Sequence, residues 1–335
     1  MTSIPFVIYR DSPGSGFFSN VFYVLDNIAY ARRHGWIPVV DMQRHITLYN
    51  EDQVFRGTLN AWEYHFEQPG KMSLEQAISR PHFDNGGRRT GLYTGLVWGP
   101  LPEGPHLNAL RLQVSGSLQL RPGIVEEAKA GGPLRPDSTI GVHYRGTDMH
   151  NKVGHPAPAP ISHYVEVTRR RMEELNLNTV FLATDEQDAV RVFVKEFGDA
   201  VIVNYRGFID LAKLDDSLGR GGEIPPIHKA PKPLAIGVSY QRGKEVLLDA
   251  LRLGMCAHLV AGRSNVAIAA LLLGRHESSP SEIAPRGISD GRTGVLPLRY
   301  LQRSSVGNRL VNGLAWRLRE RAMFYTRHRY AANNR

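Results

Sequence analysis

Phe6-Val7-Ile8-Tyr9 is a short apolar run closed by the breaker Asp11-Ser12-Pro13-Gly14-Ser15-Gly16. Val21, Val24, Leu25 and Ile28 then recur at helical spacing. Ser19 or Asn20 stands where a cap is expected and Gly35 where that helix should stop. A second apolar run, from Trp36 to Val40, ends at Asp41, so the pattern predicts a β-α-β unit. From about 42 to 133 the alternation fades among aromatics, Gly and Pro, and only the stretch from Ser73 to Ile78 reads as a helix.

Gly131-Gly132-Pro133-Leu134-Arg135-Pro136 marks a boundary. Beyond it the pattern predicts strands over 139–144, 179–183, 200–204 and 258–261. Helices are predicted over 161–175, 187–197, 243–253 and 264–273. Strands alternating with helices imply a parallel, doubly wound sheet. The proline-bearing stretch 212–242 reads as a long loop, either a mobile lid or a binding loop. Two nucleotide-type units would give two facing Rossmann-like domains, 1–133 and 134–305, with a ligand cleft between them and a basic helix over 306–335.

The 335 residues carry 41 lysines and arginines against 32 acids, a net charge of +9. That surplus favours a polyanionic ligand: nucleic acid, anionic lipid or a phosphorylated small molecule. The aromatics are not interleaved with basic residues, which argues against a nucleic-acid platform. The single cysteine, Cys256, excludes an internal disulfide framework and a cysteine zinc site. Its apolar neighbours suit a buried thiol, and a reducing cytoplasm is the expected compartment. The first ten residues lack the basic stretch of a secretion signal, and the longest apolar run falls well short of a membrane span.

In a parallel sheet, ligand contacts come from the carboxyl ends of the strands. The first strand of the second half runs out at His143-Tyr144-Arg145-Gly146-Thr147-Asp148. Period two places His143 and Arg145 on one face, where an arginine can hold phosphate, unless it simply pairs with Asp148. The next ends at Thr184-Asp185, where Asp185 can also cap the following helix. The last runs into Gly262-Arg263-Ser264-Asn265; Ser264 is a good cap, and the adjoining Gly-Arg favours an anion site at that terminus. Glu245 and Asp249 share a helix face, with Arg252 as the ordinary partner of Asp249. A rival lies at Gly14-Ser15-Gly16, which with Asp41 approximates the dinucleotide fingerprint and would suit an NAD-dependent oxidoreductase, although Ser19 replaces the third glycine. No P-loop, H-E-x-x-H or G-x-S-x-G is present, and the 13 histidines lack metal-ligand spacing, so no metal is expected. Residues 307–330 hold six arginines and one acid, Glu320, around Leu310, Val311, Leu314 and Leu318. They read as a closing helix or, alternatively, as a membrane-surface helix.

His143-Tyr-Arg-Gly-Thr-Asp148, Val180-Phe-Leu-Ala-Thr-Asp185, and Gly243 to Asp249 with Ala261-Gly-Arg-Ser-Asn-Val266 resemble, in order, three signatures of the GDP-fucose-dependent α1,6- and protein O-fucosyltransferases. Bacterial nodulation fucosyltransferases belong to the same superfamily. The Gly14-Ser-Gly16 turn resembles the glycine-rich turn that opens these enzymes. The resemblance implies a metal-independent, inverting GT-B transferase of polysaccharide biosynthesis, with a GDP-sugar donor and a glycan or glycolipid acceptor. Fucose is the expected sugar and another GDP-linked sugar the alternative. By carry-over, Arg145 would hold the β-phosphate, and His143 and Asp249 the guanosine. Ser264 and Asn265 would bind phosphate at a helix terminus. Gly14, Gly16, Gly146, Thr184 and Asp185 would line the same pocket. The chain departs from the family where Gly146 replaces a second basic residue, where Met149-His150-Asn151 is inserted, and where His155-Pro156-Ala157 follows Gly154 instead of a catalytic glutamate. His155 and Asp11 are the candidates for the general base. The expected location is cytoplasmic, with peripheral contact at the inner membrane face through residues 307–330.

Overall fold

The computed structural model describes residues 4–11, 15–86, 91–131, 134–145, 156–204, 236–276, 279–289 and 295–297. Gly14, Gly146, Asp148, His155, most of the stretch 212–242 and the segment 306–335 lie outside the described residues.

The chain opens as the sequence predicts. Strand β1 (Pro5–Ile8), helix α1 (Phe17–Arg33) and strand β2 (Ile37–Val40) form a β-α-β unit. The strands pair in parallel, Phe6 opposite Pro38. Helix α1 starts before Ser19 and Asn20: Gly16 is its N-cap, without a side-chain cap, and Ser19 and Asn20 lie inside it. It stops at Gly35, whose φ of 69° is left-handed. Helix α2 (Leu74–Ile78) is closed by a capping box, Ser73 Oγ accepting from Gln76 N and Gln76 Oε1 from Ser73 N. Strand β3 (Phe83–Asp84) joins β1 in parallel, giving the order β2-β1-β3. Two helices in the region without a clear pattern follow, α3 (Gly104–Ser115) and α4 (Ile124–Ala130).

The second half alternates as read. The elements are β4 (Thr139–Tyr144), β5 (Pro156–Ala157), α5 (Ile161–Leu175), β6 (Thr179–Thr184), α6 (Gln187–Phe197), β7 (Val201–Val203), α7 (Val238–Met255), β8 (His258–Gly262), α8 (Asn265–Leu273) and β9 (Ser281–Ile283). Helix α7 begins five residues before the predicted Gly243, so the end of the presumed loop is helical. Strands β10 (Gly287–Ser289) and β11 (Val295–Pro297) make a small antiparallel sheet with β5.

The main sheet has the order β7-β6-β4-β8-β9, and every neighbouring pair is parallel. The chain starts at the centre, builds outward through β6 and β7, then returns to the other side of β4. The strand order therefore reverses between β4 and β8, where a doubly wound sheet opens its ligand crevice.

Period two divides the packing. Ile140, Val142, Val180, Leu182 and Val260 enter a cluster with α5 and α6. Phe181, Ala183, Leu259 and Ala261, in register with Gly141 and His143, enter a second cluster with α7 and α8. That cluster continues into α1 and the segment Ala61–Phe66, so one hydrophobic body takes side chains from both halves of the chain. Gly141 lets α7 lie close on the sheet: a Cβ there would stand 3.2 Å from Cys256 Sγ and from Leu253 Cδ2. Cys256 is buried, and burial pushes its thiol up to about 12, which fits the structural reading of that residue.

Candidate functional site

Where the strand order reverses, β4 delivers His143 and Arg145 and β8 delivers Gly262, Arg263 and Ser264 to one narrow cleft. Its far wall comes from Ala157–Ala159 and from Tyr164 on α5. The two strand ends are bonded to each other: Ser264 Oγ lies 3.1 Å from His143 Nδ1. The same hydroxyl accepts the N–H of Ala267 at 3.0 Å, so it caps α8 as the sequence suggested. Both side chains are buried.

Gly262 is a site of close approach. A Cβ there would collide with the hydroxyl of Tyr164, whose ring meets Tyr144 edge-on with centroids 5.0 Å apart. Burial raises both phenols, Tyr144 to about 12, with the carboxylates of Glu186 and Asp185 adding to the effect on Tyr144. Both tyrosines therefore stay protonated at neutral pH. Tyr164 escaped the sequence reading because nothing in α5 marks which of its apolar positions meets a ligand face.

Thr184 Oγ1 accepts from Glu186 N at 3.1 Å, shaping the turn that follows β6. Asp185 does not cap α6; Glu186 is the N-cap and makes no side-chain bond in that role. Instead, Asp185 Oδ1 is a buried acceptor without a partner among the described residues, and so is Asn265 Oδ1. Two such acceptors at one sheet edge suit a ligand bearing N–H or O–H donors.

Asp249 is buried on α7 and accepts from Asn204 Nδ2 at 2.8 Å, just after β7. The expected Asp249–Arg252 bond is replaced by a relay, because Arg252 Nη1 donates to Asn204 Oδ1. The Arg252 guanidinium also lies 4.6 Å over the Phe181 ring, and burial lowers its pKa despite the nearby Asp249 carboxylate. Glu245 accepts from Gln241 and faces a separate pocket between α4 and α7, which Asn204 and Arg252 also line.

Arg263 lines the same cleft as Arg145 and is also held by an acid from the neighbouring strand. Its Nε donates to Glu282 Oε1 at 2.7 Å, and Glu282 Oε2 accepts from Leu101 N at 2.6 Å. Sequence reasoning missed Glu282, because the three-residue edge strand carrying it is too short to show a period.

At the edge of the first sheet, Gly16 caps α1, and no atom of the described residues would lie within 4 Å of a Cβ there. Arg10, buried after β1, donates from Nη2 to Ser15 Oγ at 3.0 Å and from Nε to Asn20 Oδ1 at 3.3 Å, tying the turn before α1 to the helix. Asp11 is exposed beside it. Asp41 is already engaged: it accepts from Arg44 Nε at 3.1 Å and from the backbone N–H groups of Gln43 and Arg44. A carboxylate held in that way is poorly placed to receive a ribose hydroxyl. Among the described residues no group of three or more His, Cys, Asp or Glu side chains could hold a metal ion, and no helix is long and apolar enough to cross a membrane.

No family model matches the sequence, and no curated protein matches it. Among solved structures, the chain is similar to the α-1,6-fucosyltransferase NodZ soaked with GDP-fucose, at 18% identity, covering 81% of this chain and 93% of that one, TM-score 0.47. A structure of NodZ from Bradyrhizobium gives 16% identity over 82% of this chain and 94% of that one, TM-score 0.46. POFUT1 in complex with GDP gives 14% identity over 84% and 97%, TM-score 0.41. At these identities and TM-scores, function has to follow from the residues of the site.

Proposed function

We propose that the protein is an inverting, GDP-sugar-dependent glycosyltransferase of GT-B architecture that transfers L-fucose from GDP-fucose to a glycan or glycolipid. The observation that carries this reading is the His143–Ser264 bond across the reversal of strand order, in a cleft that Arg145 also lines. It joins a phosphate-binding residue type, a helix N-terminus and a ring donor where a doubly wound sheet binds nucleotides. The three motifs that resemble the fucosyltransferase signatures supply exactly those residues, so "donor site" is the economical reading of them all.

Ser264 Oγ accepts from Ala267 N and has its own hydrogen left to give. Where that hydrogen goes to His143 Nδ1, the ring carries its own hydrogen on Nε2. In the reaction an acceptor hydroxyl oxygen attacks the anomeric carbon while the bond from that carbon to the β-phosphate oxygen breaks. The leaving GDP gains negative charge, which Arg145 and the α8 amides are suited to receive. The acceptor hydroxyl loses its proton to a general base, for which Asp11, exposed after β1, and His155 are the candidates. Asp185 and Asn265 offer acceptors to hydroxyl or N–H groups of the donor, and Asp249 to guanine. The two-domain division near residue 134 and contact of residues 307–330 with anionic headgroups complete the reading.

The test is a thermal-shift panel without added metal, using GDP, GDP-fucose, GDP-mannose, UDP and NAD. A ligand at about 100 times its Kd stabilises a fold by about 2.7 kcal/mol. Stabilisation by GDP and GDP-fucose, lost in a folded Arg145→Ala variant, is the expected result. A response to NAD alone would return the function to Gly14, Gly16 and Asp41.

A further inference from the structure

Arg263 stands between Gly262 at the end of β8 and the α8 cap Ser264, and it lines the same cleft as Arg145. Among the described residues its guanidinium is held through Nε alone. Nε donates to Glu282 Oε1 at 2.7 Å, and neither Nη group has a partner among the described residues. Glu282 sits on the neighbouring parallel strand opposite Ala261, and its second oxygen is fixed by Leu101 N at 2.6 Å. A carboxylate engaged through both oxygens has little freedom, and an arginine held through Nε has its remaining fork fixed in direction.

We infer that Arg263 is a second cation of this cleft, acting with Arg145 on a ligand that carries two linked phosphates, and that Glu282 is its positioning residue. The inference rests on the reading that the cleft holds a nucleoside diphosphate. Arg145 and Arg263 line one cleft from the ends of β4 and β8, and the α8 terminus begins at Ser264 in the same lining, so linked phosphates would give each cation its own group to hold. A diphosphate can engage both, one phosphate on each side of the strand reversal. The bland alternative is a purely structural ion pair between neighbouring strands. It would make Arg263 and Glu282 matter for folding but not for the number of phosphates on the ligand.

The experiment measures Kd for GDP and for GMP by calorimetry on the full chain, unmodified and as Arg263→Ala, Arg263→Lys, Glu282→Gln and the double variant. Circular dichroism and melting confirm the fold of each. Arg263→Ala should weaken GDP about 10- to 100-fold, the loss of one or two charge-assisted hydrogen bonds, and leave GMP little changed. Arg263→Lys, a point charge that cannot serve Glu282 and phosphate with one fork, should fall between. Glu282→Gln should weaken GDP in the unmodified background and have no further effect in the R263A background, since it acts through Arg263. If Arg263→Ala does not fold, Arg263→Lys and Glu282→Gln carry the test through the same GDP-to-GMP ratio. GDP binding with an unchanged ratio in the Arg263 variants overturns this inference alone. So does an equal effect of Glu282→Gln in both backgrounds. If the unmodified chain binds no GDP, the donor reading falls and this one with it.

Discussion

Ser264 Oγ lies 3.1 Å from His143 Nδ1 while accepting the N–H of Ala267 at 3.0 Å. One hydroxyl thus ends a strand-to-helix turn and orients the ring delivered by the central strand, 121 residues earlier in the chain. The atom that satisfies the helix terminus is thus also the one that fixes the position of the His143 ring.

Replacing Ser264 by alanine should remove both roles. Loss of an N-cap costs about 0.5–2 kcal/mol of stability. Loss of the ring orientation should raise the Kd for GDP about tenfold, or about 1.4 kcal/mol. Threonine, which keeps the hydroxyl, should retain most of both. Denaturant melts and calorimetry on the two variants check this. A Ser264→Ala protein that loses stability but binds GDP as before would confine Ser264 to capping.

Much of this arrangement is legible in the chain. The alternation after residue 136 is strong because β4, β6 and β8 are covered on both faces, so their runs are continuous and end sharply at polar residues. Those ends are where the cleft forms, which is why His143, Arg145 and Ser264 could be picked out in advance. Partners brought by tertiary packing could not be. Glu282 reaches Arg263 from an edge strand of three residues, and Asn204 intercepts Asp249 from the end of β7. Helix α3 shows only Leu107, Leu110 and Val114 as buried positions, and its start at Gly104-Pro105 reads as a turn. The start of α1 is hidden in the sequence because its N-cap, Gly16, carries no side chain to mark it.

Gly262 should tolerate no side chain while Tyr164 keeps its hydroxyl. Gly262→Ala drives a methyl group into that oxygen, and the tyrosine is too closely packed against Tyr144 to yield cheaply. Overpacking of this kind costs about 1–3 kcal/mol. Tyr164→Phe removes the offending atom, so the double variant should melt higher than Gly262→Ala alone. Additive losses in that cycle would show that the clash is not with the hydroxyl.

Glu51 joins the first half of the chain to the start of α7. Its two carboxylate oxygens accept the N–H groups of Gly237 at 2.9 Å and Tyr240 at 2.7 Å. Negative charge at a helix N-terminus is favourable, and here it fills a cap that Gly237 cannot supply. Glu51→Gln keeps one acceptor but loses the charge, so it should cost about 1 kcal/mol, and Glu51→Ala about 2 kcal/mol. Hydrogen exchange should localise the loss to the first turns of α7. Uniform deprotection across the main sheet instead would mean that Glu51 supports the whole body and not this terminus.

Three buried histidines should make the fold sensitive to mild acid. Burial lowers His258 to about 4, helped by the nearby Arg171 and opposed by Glu174. Burial likewise lowers His276 to about 4, with Arg111 and His258 adding to the effect, and His65 to about 3, beside Lys244 and Arg56. Each stays neutral in the folded chain, whereas the unfolded chain takes up protons below about pH 6.5. Their contribution is therefore complete above pH 6.5 and is lost as pH falls toward 4, at roughly 1–3 kcal/mol for each of His258 and His276. Urea midpoints measured from pH 7.5 to 4.5 should fall steadily below pH 6.5. A His276→Gln variant, whose side chain takes up no proton, should show a shallower fall even if it starts from a lower midpoint. A variant profile parallel to that of the unmodified protein would remove His276 from the acid response.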